Sequence, residues 1–175
     1  MKNVLQVAVG VIKNARGEVL IALRNRTAHQ GGVWEFPGGK IERDETVEQA
    51  LTRELKEEID IDVEAAAPLI TINHDYDDLS VRLEVWTVDR FHGRPKSNEG
   101  QPIQWVEPCR LKHFAFPEAN LPIISAARLP QYYAILDDRD ESALMTNLEK
   151  ILAKGIKLIQ ARLKSFAVEK AAEFI

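Results

Sequence analysis

Cysteine is almost missing from this chain. Cys109 stands alone, so no intrachain disulfide can staple the fold, and the composition suits a reducing compartment, with the cytosol as the default location. Nothing around Cys109 suggests a lowered thiol pKa, and a reactive role is not expected of it. Long hydrophobic runs are missing too: none reaches the ~18 apolar residues of a membrane span. The opening MKNVLQVAVGVIKN has one early lysine and a short apolar stretch. It breaks off at Lys13-Asn14 without a small-residue cleavage site, so a buried strand is expected there, not a signal peptide. An excess of positive charge is absent: the net charge of −4 argues against a large phosphate-binding surface for a nucleic-acid polymer. It leaves room for a compact nucleotide site neutralised by metal. Internal repeats and low-complexity tracts are absent as well. What remains is 175 residues, 45% hydrophobic and 29% charged, enough for one domain with a sizeable core, or one domain and a fragment.

Periodicity predicts a strand over residues 5–12, a turn at Asn14–Gly17 and a hairpin partner over residues 18–24. Residues 27–32 read as a loop, Trp34–Phe36 as a short extended piece, and Pro37-Gly38-Gly39 as punctuation. A helix is predicted from Thr46, where Thr46 and Gln49 have the spacing of a capping box. Its apolar stripe is Val47, Ala50, Leu51, Leu55 and Ile59. Further strands are expected over residues 69–74, 81–89 and 103–106, and a short helix from Asn120 to about Ala127. A second texture begins near Leu129-Pro130: strand 131–136, helix 141–154 stopped by Gly155, strand 157–162 and helix 166–175. That order is the grammar of a parallel sheet. Two such units cannot close a barrel of eight, so this part is expected to be a fragment of something larger.

The other face of the central helix carries Glu54, Glu57 and Glu58, and residues three and four apart on a helix are neighbours. Each close carboxylate pair repels by roughly 3 kcal/mol at an effective dielectric of about 20 and a gap of about 5 Å. A helical ion pair returns only about 0.2–0.5 kcal/mol. Arg53 and Lys56 are expected to offset part of this repulsion, and a divalent cation would offset more. Several hard oxygen ligands suit Mg2+ or Mn2+, not zinc.

The segment GKIERDETVEQALTRELKEEIDI (Gly39 to Ile61) resembles the signature of the Nudix hydrolases, Gly-x5-Glu-x7-Arg-Glu-apolar-x-Glu-Glu-x-Gly-apolar. Gly39, Glu45, Arg53, Glu54, Leu55, Glu57, Glu58 and Ile61 match it, and Asp60 stands where the signature has Gly. The resemblance implies an α/β fold, the Nudix α/β/α sandwich with a mixed sheet, over residues 1–128. WEFPGGKIE (Trp34 to Glu42), NEGQP (Asn98 to Pro102) and FPEAN-x-P-I-I (Phe116 to Ile124) extend it to the MutT-like branch of the family. That branch implies Mg2+-dependent hydrolysis of a nucleoside triphosphate to the monophosphate and pyrophosphate, with 8-oxo-dGTP-like purines favoured. By the same resemblance Glu54, Glu57, Glu58 and Glu99 bind metal or orient water, and the Gly38 carbonyl caps the metal site. Either Glu54 or Glu99 is the base. Arg24, Phe36, Asp78 and Asn120 would line the nucleotide pocket, and Gly39, Glu45 and Arg53 would be structural. The resemblance further implies a small nucleotide as partner, with no polymer and no membrane.

Plainer roles stand beside these. Arg24 could be a strand charge, Phe36 a core residue, Asn120 a helix cap, and His29 and His74 bystanders. Asp60 ends the helix, where φ is often positive; Asp tolerates the left-handed region at modest cost. Leu79 stands where MutT-like proteins can carry Arg. Residues 129–175 resemble the opening of a thiamine-phosphate synthase-like barrel through YYAILDD and KGIKLIQARLK, with Gln160, Arg162 and Lys164 matching a diphosphate-contacting run. Without the remaining strands, a leftover that packs on its neighbour is the plainer reading. Its open sheet edge invites pairing with a second copy, a homodimer. Two alternative functions follow: hydrolysis of another diphosphate (a nucleotide sugar or thiamine-related compound), or nucleotide binding without catalysis.

Overall fold

Side-chain alternation along β1 (Val4–Ile12) sets the plan of the fold. Val9 and Val11 enter one core and Ala8 and Ile12 the other, as the period of two of a strand requires. The computed structural model describes residues 4–27, 30–130, 132–138 and 141–166. It divides into two units, Met1–Arg128 and Leu129–Ile175.

In the first unit β1 is followed by β2 (Val19–Leu23), β3 (Trp34–Glu35), β4 (Gly38–Lys40), α1 (Val47–Ile59), β5 (Asp62–Asp75), β6 (Ser80–His92), β7 (Ile103–Val106) and α2 (Leu121–Arg128). A mixed sheet has the order β4-β1-β6-β5, with β1 parallel to β6 and the outer pairs antiparallel. A smaller antiparallel sheet has the order β3-β2-β7. One core lies under α1 through Ala50, Leu51, Leu55 and Ile59; the other gathers Ile123, Ile124 and Ala127 of α2. The unit is thus an α/β fold with a mixed sheet.

Three expectations change. The strand over 18–24 is not the hairpin partner of β1: a single bridge, Lys13 to Val19, joins them, and β2 pairs with β3 and β7 in the other sheet. Alternation identifies a strand but not its neighbour. Gly38 and Gly39 do not punctuate; they form β4, paired with Val9 and Ala8 of β1. Gly38 has φ +146 there, and a Cβ on it would lie 2.1 Å from the Ala8 carbonyl oxygen. The strand expected from Leu69 begins at Asp62, because register shifts between Val63 and Ile70 break the alternation that would have revealed it.

Helix α1 begins as its sequence dictates. The Thr46 hydroxyl accepts from the Gln49 N–H at 3.2 Å and the Gln49 side chain accepts from the Thr46 N–H at 2.9 Å. Such a cap is worth ~1 kcal/mol, whereas each fully buried Leu or Ile of the stripe contributes about 1.5–3 kcal/mol. Packing therefore holds the helix, and the cap fixes where it starts.

In the second unit β8 (Tyr133–Asp137) and β9 (Leu158–Arg162) are parallel, joined through α3 (Leu144–Ala153). Gly155 (φ +73) follows the end of α3, donating its N–H to the Leu152 carbonyl at 2.8 Å. Tyr133, Ile135 and Leu158 are exposed. Gln131, where this strand was expected to begin, and nearly all of the helix expected over 166–175 lie outside the described residues, as does His29.

Candidate active site

Arg53 organises the acidic end of α1. Its guanidinium donates to both Glu45 oxygens, Nε to Oε1 at 2.7 Å and Nη2 to Oε2 at 2.9 Å, and to the Lys40 carbonyl at 3.0 Å. Its Nη1 reaches Glu54 Oε1 at 2.8 Å and Glu57 Oε2 at 3.4 Å. The bonds from Arg53 first, and then one from the Glu42 N–H at 2.9 Å, hold the Glu45 carboxyl down at about 2. Glu45, Glu54 and Glu57 thus share one internal counter-ion. Lys56, expected to help, turns away to Asp60 at 3.1 Å and Asp62 at 3.0 Å. Gly39 admits the Glu54 carboxylate against the backbone: a Cβ there would lie 2.2 Å from the Glu54 Cδ.

Glu58 faces the other way. It accepts from the Gly38 N–H at 3.0 Å and the Gln101 amide at 3.1 Å. Burial pushes its carboxyl up to about 7; those two hydrogen bonds oppose the shift, and Glu35 and Glu99 add to it. Gln101 is oriented by Ser97, whose hydroxyl donates to its carbonyl oxygen at 2.5 Å.

The loop carrying Glu99 is strapped to the C-terminus of α1. The Lys96 N–H donates to the Ile59 carbonyl at 3.1 Å, the Asn98 N–H to the Glu58 carbonyl at 3.0 Å, and the Asn98 amide to the Glu57 carbonyl at 2.9 Å. These carbonyls are the acceptors a helix end leaves unsatisfied. Asp60 closes the helix in the left-handed region, φ 55 and ψ 41, and its carboxylate pairs with Lys56 and with Lys96 at 3.0 Å.

Two cavities adjoin here. The larger, about 480 Å³, is walled by Val9, Phe36, Leu79 and Leu83 and includes Asn120 and Tyr76. The smaller, about 250 Å³, is lined by Glu35, Glu58, Glu99 and Gln101. Arg24 and Glu35 line both and form an ion pair with each other. Burial raises the Glu35 carboxyl, Arg24 opposes the rise, and Glu99 adds to it.

The structure thus brings Arg24, Phe36 and Asn120 to the larger cavity, and Glu58 and Glu99 to the smaller. Phe36 is both core and wall, 3% exposed and stacked on Phe116 with ring centroids 5.2 Å apart. Asp78 is not in the wall; it is exposed on the β5–β6 turn, and Tyr76 and Leu79 take the expected place. Among the described residues, no three acidic, histidine or cysteine side chains converge tightly enough to hold a cation as they stand. Arg53 draws Glu54 and Glu57 to itself, while Glu58 turns to Gly38 and Gln101. Sequence reasoning missed Glu35, Gln101 and Asn98. Asn98 and Gln101 flank Glu99 in NEGQP and Glu35 sits in WEFPGG, but neither run says which side chain faces the site.

Residues 8–126 match the family model of the NUDIX domain. The 8-oxo-dGTP diphosphatase of Escherichia coli K12 is 41% identical over 121 residues, 69% of this chain and 94% of that protein. The CTP pyrophosphohydrolase of the same organism is 32% identical over 124 residues, 71% of this chain and 91% of that protein. A solved MutT structure, from work on the Aliivibrio salmonicida and Vibrio cholerae proteins, superposes with a TM-score of 0.63 at 38% identity, covering 71% of this chain and 97% of that one. The E. coli ORF135 protein superposes with a TM-score of 0.64 at 31% identity, covering 71% of this chain and 89% of that one. With signature, fold and relatives in agreement over the first unit, this chain belongs to the Nudix family.

Proposed function

We propose that the chain is a divalent-cation-dependent hydrolase that converts nucleoside triphosphates to monophosphates and pyrophosphate, with oxidised purines such as 8-oxo-dGTP as preferred substrates. The observation that carries this reading is the pair of adjoining cavities: one largely apolar and large enough for a base, the other acidic, with Arg24 at their junction. Likeness to 8-oxo-dGTP diphosphatases over nearly their full length supports the choice of substrate. The reaction is placed in the cytosol, on a free nucleotide, without a polymer partner.

The donor set fits a hard cation. Glu58 is part-buried, flanked by two further carboxylates, and bonded to an N–H and an amide in place of a positive charge. Glu54, Glu57, Glu58, Glu99 and the Gly38 carbonyl would hold Mg2+, or Mn2+ in its place. When bound, the ion supplies charge neutralisation for the phosphates and a lowered pKa for water. Arg24 orients the phosphate chain from the junction. Asn120 offers both a donor and an acceptor to a purine edge, and Phe36 and Leu79 exclude water from the base. Glu54 or Glu99 takes the proton of the attacking water. The water oxygen bonds to the β-phosphorus, and the bridging oxygen departs with the monophosphate.

Glu57→Gln is expected to remove most Mg2+-dependent turnover while leaving the circular-dichroism melt unchanged; full activity in that variant would refute the metal role. Turnover in isotopic water should label the pyrophosphate. A panel of oxidised and normal purine triphosphates, CTP, a nucleotide sugar and thiamine diphosphate, with and without Mg2+, decides the substrate. A second reading, CTP as preferred substrate, is favoured by the likeness to the CTP pyrophosphohydrolase of Escherichia coli: preference for CTP over 8-oxo-dGTP would establish it.

A further inference from the structure

Neither the signature nor the expected pocket residues give a task to Glu35, which lines both cavities of the site. Glu35 lies on β3 directly across from Ala22 of β2. It therefore shares a face with Arg24 two residues on, within diagonal reach. The two side chains are partly buried, 29% and 23% exposed for Arg24 and Glu35, and paired. The backbone closes the frame around them: the Arg24 N–H donates to the Val33 carbonyl at 2.9 Å and the Gly32 N–H to the Arg24 carbonyl at 3.1 Å. Both side chains line both cavities.

We infer that Glu35 is a positioning residue that holds the Arg24 guanidinium at the junction of the two cavities, where the phosphate chain of a bound nucleotide passes from the base pocket to the acidic pocket. This rests on the nucleotide-hydrolase reading given above. The smaller cavity also presents Glu58 and Glu99, which attract the same guanidinium. The charge-assisted hydrogen bond from Arg24 Nη1 to Glu35 Oε2 ties the guanidinium to β3, so the Arg24–Glu35 pair keeps Arg24 off the carboxylates that a cation needs. Without Glu35, Arg24 swings onto them, and both the phosphate contact and the cation ligands are lost together.

The direction of the effect separates this from simple electrostatics. Deleting a carboxylate beside an anionic ligand should tighten binding; deleting a positioning residue should weaken it. The test is calorimetric binding of the α,β-methylene analogue of dGTP with Mg2+, and of deoxyguanosine, to the full chain and to Glu35→Ala, Glu35→Gln, Arg24→Ala and the Arg24→Ala/Glu35→Ala double variant. Glu35→Ala should bind the triphosphate about tenfold more weakly, roughly 1.4 kcal/mol, and bind deoxyguanosine unchanged. Glu35→Gln, which keeps the shape, should show a loss of the same sign. The double variant should match Arg24→Ala alone, since Glu35 acts only through Arg24. Unchanged or tighter triphosphate binding in both Glu35 variants, or losses that add in full in the double variant, would overturn the inference while the nucleotide reading stands. A wild-type protein that binds no triphosphate overturns both.

Discussion

At the residue scale, Glu58 is expected to dominate how the site responds to pH. Burial lifts its carboxyl from the ordinary 4.5 to about 7. Because the folded pKa lies above the unfolded one, the folded chain binds this proton more tightly. The stabilising contribution is complete below about pH 4.5 and is lost as pH rises through about 7. A cation requires the ionised form and must displace the proton first. Mg2+ affinity, measured by calorimetry, is therefore expected to rise by up to ~tenfold per pH unit between pH 5 and 7 and to level off above. Glu58→Gln should flatten that slope as well as weaken binding; a slope that survives the substitution would place the titrating group elsewhere. The glutamates themselves were legible in the sequence, because their spacing is fixed by one helix. Their surroundings were not. That Arg53 would serve three carboxylates while Lys56 served none of them depends on side-chain directions that spacing does not carry, and Glu35 joins the site only through a cross-strand register.

At the scale of elements, the C-terminus of α1 and the Glu99 loop behave as one piece. Asn98 is the clasp, donating from both backbone and side chain to the last turn of the helix. Asn98→Ala removes the side-chain bond and is expected to cost about 0.5–1.5 kcal/mol in urea titrations. Its effect on kcat should be proportionately larger, since Glu99 loses its fixed distance from Glu58. A variant that loses stability but keeps full turnover would separate the strap from the chemistry. The start of helix α1 near Thr46 was readable, because the Thr46 and Gln49 capping pair is local. The pairing of β1 with β4 and β6 was hidden, because it joins residues about 30 and about 75 positions apart and the glycines of β4 look like a turn.

For the whole molecule, the chain divides after Arg128 into two units. The Nudix match ends at residue 126, and the E. coli diphosphatase is covered over 94% of its own length. We expect a chain ending at Arg128 to keep kcat/KM within about twofold of the full chain; a larger drop would show that residues 129–175 contribute to the site. The same truncation removes the parallel β8–β9 pair and its exposed Tyr133, Ile135 and Leu158. A homodimer built on that open sheet would then sediment as a monomer. The parallel order of this second unit was legible from its strand–helix–strand grammar, whereas its likeness to a barrel opening rests on resemblance alone.

The bridge that Arg53 makes between Glu45, Glu54 and Glu57 has a consequence for the life of the protein. The Arg53 guanidinium on one side, and the raised proton affinity of Glu58 on the other, already offset part of the repulsion that a metal would relieve. On the proposed function, freshly made protein is expected to fold without a divalent cation, and a chelator should silence it without melting it. Supply of the ion then acts as a throttle on work, not a condition of existence.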